Sequence, residues 1–137
     1  VTERRRARSG SPWEDRIGFS RAVRVGERVI VSGTAPVPPA GQPVAEGAHA
    51  QLLRCGEIAL AALAELGASA ADVVRTRVYL VDPGDAGEAG RAHRELFAAA
   101  APAATMVVVA ALLDPAWRVE MEVEAVVCAE AASRGDS

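Results

Sequence analysis

The chain contains no lysine; apart from two histidines, its 15 basic side chains are all arginine. That excludes a Schiff-base lysine and the phosphate-binding lysine of a P-loop. Asparagine is also absent, and aromatic residues make up only 4% of the chain. The two histidines, His49 and His93, and the two cysteines, Cys55 and Cys128, match no metal-ligand or redox spacing. No metal and no cofactor are therefore expected, and no Gly-x-Gly-x-x-Gly follows a strand to hold a dinucleotide. A net charge of −3 with so few aromatics argues against a nucleic-acid track. No apolar run is long enough to span a membrane. The basic cluster Arg4, Arg5, Arg6 and Arg8 leads into the polar stretch Ser9 to Arg16, so no secretory signal is expected. Cys55 and Cys128 read as small core residues in a reducing compartment, which implies a cytoplasmic location.

What is present suits one domain: 137 residues, half of them hydrophobic. Residues 1–16 read as a disordered tail, 17–128 as the domain and 129–137 as a second tail. Ala22 to Val25 and Arg28 to Ser32 are two short strands around a Gly26-Glu27 turn. Five residues with special backbone demands, Pro36, Pro38, Pro39, Gly41 and Pro43, make Gly33 to Glu46 a loop. Leu52, Cys55, Ala59, Leu63 and Leu66 recur at helical steps and predict a helix over Ala48 to Leu66, stopped at Gly67. Val73 to Val81 is a strand, Asp82-Pro83-Gly84-Asp85 a turn, and Ala86 to about Ala98 a second helix. Thr105 to Leu113 is an almost wholly apolar strand. In Arg118 to Cys128 alternation is strict, with Val119, Met121, Val123 and Ala125 on one face and Arg118, Glu120, Glu122 and Glu124 on the other.

The predicted order is β-β-α-β-α-β-β, an α+β domain. Two helices cover one face of such a sheet, yet Thr105 to Leu113 is apolar on both. The remaining cover is another copy of the chain, so the pattern predicts a homo-oligomer.

Five segments, in order, resemble the RidA/YjgF (reactive-intermediate deaminase, endoribonuclease L-PSP-like) family. Ile17-Gly18-Phe19-Ser20-Arg21-Ala22-Val23-Arg24-Val25-Gly26 is similar to its opening strand. Val31-Ser32-Gly33-Thr34-Ala35-Pro36 resembles its V-S-G-x-x-P. Leu66-Gly67-Ala68-Ser69 with Asp72 to Tyr79 is similar to its G-A-S-x-x-D-V-V segment. Asp114-Pro115-Ala116-Trp117-Arg118-Val119-Glu120-Met121-Glu122 matches its final strand. The resemblance spans about Ile17 to Val127. It implies a chorismate-mutase-like fold and a homotrimer with a cleft between each pair of subunits. It also implies hydrolysis of reactive enamines and imines to ketones and ammonia.

One departure bears on chemistry. Where deaminating members carry P-x-R-[ST], this chain reads Pro102-Ala103-Ala104-Thr105, so Ala104 replaces the arginine that holds a substrate carboxylate. Losing a desolvated bidentate pair costs roughly 2–5 kcal/mol of binding, which makes small α-imino acids poor substrates. By the same resemblance Glu120 aligns with the water-positioning glutamate, Phe19 replaces a tyrosine, and His93 holds a helix position common to aromatics, with Phe97 one turn on. The candidate site is thus Glu120 as the catalytic residue, with Phe19, Ser32, Gly33, His93, Phe97, Ala104, Thr105, Met106 and Trp117 binding substrate. Arg21 offers an alternative anion clamp from another wall.

Each residue also has a plainer reading. Glu120, Glu122 and Glu124 lie about 7 Å apart along one strand face, and with Arg75 and Arg77 they can form a cross-strand ladder at a subunit interface. His93 can be an ordinary helix histidine, and Trp117 a packing residue. Three functions remain. The first is a hydrolase for a bulkier or non-carboxylate imine, enamine or related electrophile. The second is a non-catalytic trimer binding a metabolite. The third, disfavoured by charge and composition, is an RNA-cleaving protein.

Overall fold

A computed structural model describes residues 3–128; the predicted tail at 129–137 lies outside them. Along the chain run β1 (Arg4–Ala7), α1 (Pro12–Ile17), β2 (Ala22–Val25), β3 (Arg28–Thr34), α2 (Ala48–Glu65), β4 (Val73–Leu80), α3 (Ala86–Phe97), β5 (Ala103–Val108) and β6 (Val119–Val126). The strands form one sheet in the order β1-β2-β3-β6-β4-β5. All neighbours are antiparallel except β4 and β5, which α3 joins as a parallel crossover.

The α+β class and the two long helices agree with the sequence reading. The predicted stripe of α2 is fully buried, and α2 packs across β3 and β6 with α3 beside it. Gly67 ends the helix with φ +83°, and Arg24 Nη1 donates to the Leu66 carbonyl at 2.7 Å. In β6 the apolar set Val119, Met121, Val123 and Ala125 faces the helices, while the glutamates face away.

The N-terminal reading needs correction. Residues 4–17 are ordered into β1 and α1 rather than forming a tail. Arg6 pairs with Val23 and Ala7 with Ala22, and Ala7 is buried in the core. Arginines on an edge strand leave few apolar signals, and their charge blunts the edge. In α1, Ser11 caps the Trp13 N–H at 3.3 Å, Pro12 takes the first turn, and Gly18 closes the helix at φ +88°.

The strand predicted over Thr105 to Leu113 also differs, since β5 ends at Val108. Its partner β4 stops at Leu80, and the Val109 N–H to Leu80 carbonyl bond at 2.7 Å is the last one available. Within one chain β5 is an exposed edge, with Met106, Val107 and Val108 all 37% or more accessible, so the second cover expected from another copy is not supplied by the chain itself. The apolar demand of this strand is unmet within the chain.

On the sheet face away from the helices, the arginine–glutamate ladder forms inside a single chain. Arg77 Nη1 meets Glu122 Oε2 at 3.1 Å and Arg75 Nε meets Glu124 Oε2 at 3.3 Å. Arg28 adds a second bond to Glu124 at 3.1 Å, and the Tyr79 hydroxyl donates to Glu122.

Candidate functional site

Where α1, the ends of β3 and β6, the Ala35–Ala40 loop and the middle of α2 converge, they enclose a cavity of about 450 Å³. Its aromatic walls are Trp13, Phe19 and Trp117; Arg21, Gly33 and Glu120 also line it. Trp117 is held by a buried glutamine from α2. Gln51 Nε2 donates to the carbonyls of Ala45 and Ala116 at 3.0 Å, and its Oε1 accepts from the Arg118 N–H at 2.7 Å. Gln51 therefore brackets Trp117 on both sides. Arg118 is tied to the buried Asp85 by two bonds of 2.9 and 3.0 Å, which fixes the start of β6.

Glu120 differs from the other two glutamates of its row. They are engaged by arginines, whereas Glu120 turns toward the cavity and has no ion pair within 4 Å among the described residues. Its carboxylate lies against β3, where a Cβ on Gly33 would come within 2.5 Å of Glu120 Oε1. Any larger residue at position 33 would have to push the Glu120 carboxylate aside. Burial raises the pKa of Glu120 above its ordinary value, an effect that Arg21 opposes and Glu122 reinforces.

Arg21 enters from the segment before β2 and is only 7% accessible. Its guanidinium stacks on Phe19, with Cζ 5.3 Å from the ring centre. Glu14 Oε2 lies 3.8 Å from Nε, too far for a hydrogen bond, and Nε has no hydrogen-bond partner. Glu14 itself is buried and accepts from the Ser9 N–H at 3.1 Å and from the Ser9 hydroxyl. Burial pulls the pKa of Arg21 down, and Glu14 and Glu120 push it back. Cys55 also lies near this cluster, and burial pushes its thiol well up, away from thiolate chemistry.

The sequence-based site residues fall into two groups. Phe19, Gly33, Trp117 and Glu120 share the cavity. Ser32 stands beside it, donating its hydroxyl to the Ser20 carbonyl at 2.7 Å and so fastening the Phe19–Arg21 segment to β3. The others lie on the far side of the sheet order. Ala104, Thr105 and Met106 are on β5, paired with Thr76, Arg77 and Val78. His93 Nε2 shares a 2.7 Å hydrogen bond with Thr76 Oγ1, and burial lowers its pKa. Phe97 is a core residue with its ring 5.1 Å from that of His93. One chain does not bring the β5 group to Glu120. The wall formed by α1, with Trp13, was missed because those residues read as a tail; the Ser-Pro start and glycine stop were its signals. Among the described residues no group of three His, Cys, Asp or Glu side chains is placed to hold a metal, and no helix is long and apolar enough to cross a membrane.

A small antiparallel-dominated sheet backed by two helices, with a glutamate on its final strand facing an aromatic cavity, defines a class, and the comparisons agree on it. The chain belongs to the endoribonuclease L-PSP family, the RidA/YjgF family, whose model matches residues 13–127. An uncharacterized protein of Streptomyces coelicolor is 43% identical over 122 residues, covering 88% of this chain and 90% of that protein. A RutC family protein of Pyrococcus abyssi is 36% identical over 95 residues, covering 69% and 75%. Among solved structures, Rv2704 of Mycobacterium tuberculosis, a member of the YjgF/YER057c/UK114 family, superposes with a TM-score of 0.84 at 38% identity. That match covers 91% of this chain and all of the other.

Proposed function

We propose that this protein hydrolyses a small electrophilic metabolite, an imine, enamine or relative, in the cavity beside Glu120. The observation that carries the reading is the contrast within one strand: Glu122 and Glu124 are tied up by arginines, while Glu120 is half-buried, unpaired and aimed into an aromatic cavity. A carboxylate with a raised pKa in such a place can take a proton from water as the water oxygen attacks the C=N carbon. The nitrogen gains two protons in all: one comes from the water through Glu120 and one from the carbinolamine hydroxyl as the C–N bond breaks, so ammonia leaves and the ketone remains. Ala104 offers no charge for a small α-imino acid, so the substrate is bulkier or bound differently.

The proposed assembly is a homotrimer in a reducing, cytoplasmic compartment. The exposed apolar edge β5 and the separation of the β5 residues from Glu120 support it: a neighbouring copy would supply one half of the site to the other. The free, unpaired state of Cys55 and Cys128 suits such a compartment. A second reading, a metabolite-binding trimer without turnover, draws on the methyl group at Ala104.

Turnover of an imine panel by Glu120→Gln separates the two. Hydrolysis should fall by about 10²–10⁴-fold while the ligand is still bound. Glu122→Gln, which loses only its bonds to Arg77 and Tyr79, should keep turnover per assembled protein. Equal behaviour of the two variants would remove the special role of Glu120.

A further inference from the structure

We propose that Arg21 is an anion clamp for this cavity, holding the carboxylate of a ligand whose apolar body lies among Trp13, Phe19 and Trp117. This deepens the hydrolase reading, on which it rests, by naming the substrate class: an aryl- or alkyl-bearing carboxylate bound from the α1 side rather than from Ala104.

Four observations support it. Arg21 is more than nine-tenths buried yet lines the cavity, and its Nε–H is left without an acceptor. Nε itself is closed off beside Glu14; a ligand carboxylate in the cavity would meet the guanidinium through its Nη groups, where Arg can offer two parallel donors. The neighbouring carboxylate of Glu14 stands off at 3.8 Å and accepts instead from the Ser9 N–H and hydroxyl. The guanidinium also lies over the Phe19 ring, with Cζ 5.3 Å from its centre, a cation–π contact that helps hold it at the cavity wall. The other cation of the cavity, Arg54, is already engaged by the Val37 carbonyl at 2.7 Å and by Glu57 at 3.1 Å.

The charges around Arg21 set a further requirement. Glu14 faces it from α1, Glu120 from β6 and Cys55 from α2. A ligand carboxylate would be a third negative charge on one arginine unless Glu120 accepts a proton. Binding of the anion is therefore coupled to proton uptake at Glu120. In the reaction this leaves Glu120 protonated beside the bound substrate, ready to give that proton to the imine nitrogen before taking one from water.

The test uses phenylacetate and its neutral isostere phenylacetamide, followed by tryptophan fluorescence and by the NMR signal of the Arg21 Nε–H in the wild-type protein. Phenylacetate should bind saturably, move the Arg21 signal, and bind at least about tenfold better than the amide. Arg21→Gln should erase that preference. Glu120→Gln should strengthen phenylacetate binding at neutral pH and flatten its pH dependence. Absence of saturable binding at millimolar phenylacetate, equal binding of acid and amide, or a preference that survives Arg21→Gln would overturn the clamp. Because these readouts need no turnover, they fail independently of the hydrolase reading: a clamp without turnover removes only the enzyme, and turnover without a clamp removes only Arg21.

Discussion

At the scale of single residues, Glu120 and His93 respond to pH in opposite directions. The folded-state pKa of Glu120 lies above 4.5, so the unfolded chain ionises first and the carboxylate disfavours folding at neutral pH. Glu120→Gln should therefore not lower the melting temperature, even as it removes turnover. His93 is held below its ordinary 6.5, so the unfolded chain takes up the proton first. Its contribution to stability is present above about pH 6.5 and is lost as pH falls toward the folded value. Urea midpoints should drop between about pH 7 and pH 5, and His93→Gln should flatten that drop; an unchanged slope would mean that His93 does not drive it. Ala104 is the third case. Ala104→Arg should raise hydrolysis of 2-iminopropionate if a neighbouring copy brings β5 to Glu120, and a folded, assembled variant without that gain would separate the two groups of residues for good. Glu120 was legible through its alignment with the family strand. The isolation of Arg21 was not, because it depends on where Ser9 and Glu14 settle, and those residues gave no periodic signal.

At the scale of elements, local patterns were easy to read and non-local pairings were not. The stripe of α2 and the alternation of β6 follow from each element's own period. That β6 inserts between β3 and β4 follows from hydrogen bonds made across the chain, which no local pattern specifies. The same holds for β1, whose single buried side chain, Ala7, cannot announce a strand. Gln51 shows how one helix disciplines a distant loop. With three hydrogen bonds to Ala45, Ala116 and Arg118, it sets the position of Trp117. Gln51→Leu keeps much of the volume but leaves those partners unpaired in a buried place. The expected loss is about 1–3 kcal/mol of stability, measured by urea unfolding, with a shifted Trp117 environment in fluorescence. A variant as stable as the parent would show that water replaces the amide.

At the scale of the whole molecule, β5 dominates. Its outward residues pair in register with the charged and aromatic side chains of β4, Thr105 beside Arg77 and Val107 beside Tyr79. If three copies close over this surface, light scattering should give three chains per particle, and Val107→Asp should release single chains with their secondary structure intact. A parent protein that scatters as one chain would end both the trimer and the shared site.

From Ala103 to Leu113 the sequence carries no charge and, after Val109, β4 offers no further partner. A newly made chain thus finishes folding with a bare, neutral strand edge, the kind of edge that templates unwanted pairing. If other copies cover it, burial requires encounters between chains, and the rate of such encounters grows with their concentration. Slow synthesis, rather than fast, would then hold each molecule longest in its most adhesive form.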